Sequence, residues 1–117
     1  VKLGAIYRNE QCLLPRVWNA VSGLERTRGL LGRPPLQSDE GMLIDACRLV
    51  HTVSMGYALD LAFLDRGGRV RKLVKGLKPA RMAGSLAARA TLEMAPGTVE
   101  RIGLAEGDYL KWQETQP

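Results

Sequence analysis

The segment Leu59–Asp65, LDLAFLD, changes side at every residue: Leu59, Leu61 and Phe63 share one face, and Asp60, Ala62 and Leu64 the other. A period of two belongs to a β-strand, whose successive side chains leave opposite faces. The glycines of Asp65-Arg66-Gly67-Gly68 then supply the positive φ of a tight turn, and RVRKLVKGL reads as the returning strand. A chain built this way must form a sheet. LAARATLEM alternates again, with Ala90, Leu92 and Met94 opposed to Arg89, Thr91 and Glu93. VKLGAIY and QCLLPRVWNA read as strands joined near Asn9–Glu10, and Pro15 puts the second at an edge or a bulge. GMLIDA is a buried strand by its apolar run, and GDYLKWQ is the last strand, with residues 113–117 expected to fray.

Two short helices complete the reading. Ser22 and Glu25 fit a capping box, Leu24, Leu30 and Leu31 line one side, and Gly32 with Pro34 and Pro35 ends the helix. APGTVERIGL forms the second, with Pro96 in its first turn, Val99, Ile102 and Leu104 buried, and Gly103 or Gly107 closing it. Residues 78–85 read as a loop. The fold class expected is α+β: one compact domain over residues 1–117, with six or seven strands, mostly antiparallel, and two short helices.

Bulk properties agree with that size of fold. At 117 residues the chain can bury one core without staples. With six aromatics, that core rests on Leu, Val, Ala and Met. No apolar run reaches the ~18 residues of a membrane span, and no export signal is visible, so the expected location is the cytoplasm, or outside it after a removed signal. Cys12 and Cys47 allow one disulfide or two free thiols, the plainer reading being two small buried hydrophobes. Charge is uneven: Arg66, Arg69, Arg71, Lys72, Lys75, Lys78, Arg81 and Arg89 occupy an interval, 66–92, without a single acid. Such a strip attracts anions weakly, or simply protects an edge strand from aggregation. No aromatic interleaves it to stack on bases.

ERTRGLLGR, GMLI, the Cys47-x-x-Val50-His51-Thr52-x-x-Met55 stretch, LDLAFLD with its glycine turn, Leu77-x-Pro79-x-Arg81 and ATLEMAPGTVERIGLAEGD follow one another in this order. Their order and spacing resemble those of the DUF192 family, small bacterial and archaeal proteins without an established biochemical function. The resemblance implies a curved, barrel-like set of strands, and the family includes exported and non-exported members. Its central motif resembles His-Thr-x-Gly-Met-Arg/Lys-x-Pro-Ile/Leu-Asp. His51, Thr52, Met55, Leu59 and Asp60 fit it, whereas Ser54, Gly56 and Ala58 replace the usual glycine, basic residue and proline.

Three chemistries compete for this stretch. Cys47, His51 and Met55 form a soft ligand set of the kind that takes copper, but an extended chain would hold the outer two about 26 Å apart. His51 with Asp60 could serve a hydrolase-like enzyme, although no second histidine exists to assist. The reading preferred is a non-enzymatic monomer that binds a small ligand or a protein or peptide partner, with neither metal nor cofactor. Its expected site joins His51, Thr52, Met55 and Asp60 to the cations Arg28, Arg33 and Arg81.

Overall fold

The computed structural model describes residues 2–20, 35–45, 48–51, 57–79 and 81–115. Among them are nine strands: β1 (Lys2–Arg8), β2 (Gln11–Ala20), β3 (Glu40–Asp45), β4 (Leu49–His51), β5 (Leu59–Leu64), β6 (Val70–Leu77), β7 (Met82–Gly84), β8 (Ala90–Met94) and β9 (Lys111–Glu114). One helical turn, α1 (Thr98–Arg101), joins β8 to β9. The expectation of two short helices is corrected: the second shrinks to this turn, and the first falls outside the described residues. α1 stops where Gly103 takes φ 66°, with the Gly103 N–H donating to Glu100 O and the Leu104 N–H to Val99 O. That pair of bonds is a Schellman closure.

Seven strands make one sheet in the order β6-β5-β8-β3-β2-β1-β9, and β4 and β7 form a separate two-stranded ribbon. The β2–β3 pair is parallel, and the remaining pairs are antiparallel. The sheet is therefore mixed. It is also open, which corrects the barrel-like expectation. Its edges approach at one corner, where Arg69 bridges Tyr109 and the Val70 N–H reaches Asp108 O. Elsewhere β6 pairs only with β5, and β9 only with β1.

Several local expectations meet their physical reasons here. Pro15 lies in a bulge: two steps along β1, Gly4 to Ile6, face three along β2, Val17 to Leu14. Proline has no N–H to give a ladder, and the bulge asks for none. The turn after β5 is held by Asp65, whose Oδ1 accepts the Gly67 and Arg69 N–H groups at 3.0 Å each. Gln113 and Glu114, expected to fray, pair with Ala5 and Gly4, and the Thr115 N–H continues the ladder to Leu3 O. Cys12 is an exposed free thiol beside the first hairpin, so it does not fill a core position.

Both faces of the sheet are covered. On one, Leu43, Ala62, Leu64, Leu92 and Met94 pack with Val99, Leu104 and Leu110 from α1 and the loop after it. On the other, Met42, Ile44, Leu59, Leu61 and Phe63 pack with Val50 of the ribbon, Ala88, and half-buried Trp18, Leu36 and Tyr57. All six residues of β5 are consequently buried, Asp60 included.

Gly4 marks a close approach between β1 and β9. A Cβ there would run into the Trp112 indole and the Gln113 carbonyl, while the Trp112 Nε1–H donates to Val17 O at 2.9 Å. Gly4→Ala is expected to cost about 2 kcal/mol by overpacking. Hydrogen exchange should show the loss as faster exchange in Lys111–Glu114, leaving β3 and β8 protected.

Candidate functional site

The residues proposed from sequence divide between the two faces. Asp60 points to the α1 side, as its pairing with Met94 requires. It is 1% exposed, and its carboxylate accepts the Gly76 N–H at 2.8 Å and the Val99 N–H at 2.9 Å. The first of these donors is freed from the ladder by a bulge in β6, where Gly76 takes φ 64°. The second is an early N–H of α1, whose N-cap residue, Gly97, has no side chain to offer it. Asp60 thus ties the sheet edge to the helix start.

His51 lies in the ribbon on the opposite side, its backbone paired with Met82, and exposed Arg81 immediately precedes Met82. The topology brings these two positions to one end of the ribbon and leaves Asp60 across the sheet from them. Arg28, Arg33, Thr52, Met55 and Cys47 lie outside the described residues. So, apart from the His51 backbone, does the soft-metal set.

On the ribbon side the sheet carries a residue that sequence reasoning passed over. Trp18, Met42, Glu93, Leu61 and Val74 stand opposite one another in a single row across β2, β3, β8, β5 and β6. Glu93 is the only polar member, is 4% exposed, and among the described residues its Oε2 has no hydrogen-bond partner. Burial among apolar neighbours disfavours the charged form and pushes its carboxyl up to about 7. Half-buried Tyr57 is held above its ordinary value, first by burial and then by the Glu93 charge, so the two groups lie within electrostatic reach. A buried carboxyl raised in this way, within electrostatic reach of the Tyr57 phenol, can donate or accept a hydrogen bond.

The signal for Glu93 was present in the alternation of LAARATLEM, where it shares a face with Thr91. Two apolar runs, GMLI and LDLAFLD, flank β8 in the sheet, and both have apolar residues on this side.

The basic strip follows the sheet edge. Lys75 pairs with Glu100 and Arg71 with Asp65, each at 3.3 Å. The Lys72 Nζ donates to Gly84 O at 2.7 Å and lies 6.0 Å from the Phe63 ring centroid. Charges on β6 suit an exposed edge, where they oppose pairing with another chain. Among the described residues no helix is long and apolar enough to cross a membrane.

With this geometry in view, two solved structures are similar. A protein of unknown function from Novosphingobium aromaticivorans DSM 12444 is 21% identical, with a TM-score of 0.79 over 94% of this chain and 84% of that one. At this identity the likeness shows the fold alone. A protein described as a "putative transcription regulator" from Sinorhizobium meliloti 1021 is 25% identical, also with a TM-score of 0.79, over 95% of this chain and 92% of that one. No curated protein matches. The model of the DUF192 family, described as an uncharacterized ACR, matches residues 6–112, spanning the sheet from within β1 to within β9; the chain belongs to that family.

Proposed function

We propose that this chain is a non-enzymatic domain that binds a small ligand on the ribbon side of its sheet. Glu93 and Tyr57 form the centre of the site, and the ribbon end bearing His51 and Arg81 borders it. The observation that carries this reading is the buried Oε2 of Glu93, which has no hydrogen-bond partner among the described residues. An acceptor left unsatisfied in the interior costs about 1–3 kcal/mol, and buried polar groups in native proteins nearly always have partners. Its cross-strand neighbours Met42 and Leu61 gain nothing from a carboxyl between them. An apolar side chain would serve the fold better there, so a ligand is the reason for the acid that this reading supplies.

The rim supports the same reading. Trp18, Leu36, Tyr57, Val74 and Leu77 are only partly buried, so the row ends in apolar surface that water reaches. An apolar wall with one convergent polar group is the usual make-up of a small-molecule site. Amide shifts mapped against amines, amino acids, sugars, nucleotides and phosphate are expected to move Met42, Tyr57, Leu61 and Glu93 together. Shifts confined to the α1 side, around Asp60 and Val99, or to the β6 edge would overturn the proposal.

A further inference from the structure

We propose that the turn at residues 85–88 and the β7 strand before it form a docking surface for an anionic phospholipid bilayer, with Leu86 entering the boundary between headgroups and acyl chains. The surface is separate from the site at Glu93 and does not depend on it. Three large apolar side chains are exposed among the described residues, and two of them, Met82 (62%) and Leu86 (93%), fall within one five-residue stretch. Ala83 packs toward the sheet, so alternation turns Met82 outward from the ribbon. Leu86 lies at the tip of a turn closed by the Ala88 N–H on Ser85 O at 3.2 Å. A single exposed leucine needs no explanation, but this one is held out between cations.

Each flank of the turn is tied down by one of them. The Lys72 Nζ donates to Gly84 O at 2.7 Å, just before the turn, and the Arg48 Nε donates to Ala88 O at 3.2 Å, at its end. The Ser85 N–H reaches Arg48 O at 3.0 Å. Exposed Arg89 follows directly, and its N–H donates to Leu64 O at 2.7 Å, which brings in the hairpin tip with exposed Arg66. A carbonyl partner orients Lys72 and Arg48 without cancelling their charge. Of the described acids at this end of the sheet, Asp65 holds its own turn and Arg71, and half-buried Asp45 ends β3 opposite Ala90. Glu106 and Asp108 belong to the loop on the opposite, α1 face. An aliphatic tip among cations matches a bilayer with acidic headgroups: the leucine gains by leaving water, and each cation by nearing the lipid phosphates. Duplex nucleic acid would meet the same cations but has no apolar layer for Leu86. Nor does any aromatic in the basic strip offer bases a stack.

Co-sedimentation of the full chain with vesicles of phosphatidylcholine alone, and of phosphatidylcholine with about 30 mol% phosphatidylglycerol, tests this. The chain is expected to bind the acidic vesicles at least about tenfold more tightly. It should lose about tenfold or more in affinity when salt rises from about 0.1 M to about 0.5 M. Leu86→Ser should weaken binding to the acidic vesicles about tenfold, and Arg89→Gln roughly fivefold. Both side chains are exposed, so the urea midpoints of the two variants should stay at the parent's. No binding at about 0.1 M salt, equal binding to both vesicles, or an acidic-vesicle affinity that Leu86→Ser leaves unchanged would each overturn the proposal. So would a short DNA duplex that displaces the chain from acidic vesicles and binds Leu86→Ser as tightly as the parent, because the surface would then belong to nucleic acid.

Discussion

Glu93→Gln is expected to stabilise the free protein by about 3 kcal/mol above pH 7 while leaving its stability at pH 4 nearly unchanged. In the folded chain Glu93 keeps its proton up to about pH 7, whereas in the unfolded chain the same carboxyl ionises near 4.5. A carboxyl whose folded value is raised contributes fully below the unfolded value. That contribution is lost as pH rises toward the folded one, at about 1.4 kcal/mol per pH unit. The parent should therefore weaken between pH 4.5 and about 7 and be flat on either side, as far as this group decides. Glutamine carries no such proton, so the variant's stability should not fall through this window. Urea unfolding at pH 4, 6 and 8 reads the difference directly, and at pH 8 the melting temperature should rise by roughly 10 °C. Parallel pH profiles for parent and variant would mean that the Glu93 carboxyl ionises as freely folded as unfolded. A substitution that stabilises the free protein and removes ligand binding would identify Glu93 as a residue kept for function at the expense of stability.

How far the sequence could be read depends on what kind of contact each feature rests on. Period-two runs and glycine turns are local, and β1, β2, β3, β5 and β6 begin and end close to where alternation and turn residues place them, whereas β8 and β9 begin four residues into LAARATLEM and GDYLKWQ. The bulge at Pro15 and the Gly103 closure are equally local, since each follows from one residue's backbone limits. Met82–Gly84 lies within residues 78–85, which read as a loop from sequence. It is β7 only because β4 pairs with it across about thirty residues of chain. The open sheet was hidden for the same reason, as closure depends on which edges meet and the parallel β2–β3 pair is a distant contact. Asp60 and Glu93 show the limit most clearly. Alternation separates two faces but does not say which of them meets water, and on β5 and β8 neither does. The motif resemblance drew attention to Asp60, whose oxygens are taken by backbone N–H groups. Among the described residues the less conspicuous Glu93 has an oxygen without a partner, as Asn19 and Thr98 also do.

Asp60→Ala is expected to destabilise the chain by about 4 kcal/mol, the largest effect of any single substitution considered. Two charge-assisted hydrogen bonds disappear, each worth about 1.5–3 kcal/mol, and the donors left behind cannot all recover a partner. The Val99 N–H is buried at the start of α1, and Gly97 has no side chain to take it. The Gly76 N–H sits in a bulge that has already left the β5–β6 ladder. Asp60→Asn should be nearly as damaging, because an amide offers one acceptor oxygen and turns an N–H₂ donor toward the other N–H. Urea unfolding gives the magnitude, and native-state hydrogen exchange gives the place: the amides of Gly76 and Val99 should lose protection first, ahead of Leu92 and Leu43. A loss below about 1 kcal/mol would contradict the two bonds.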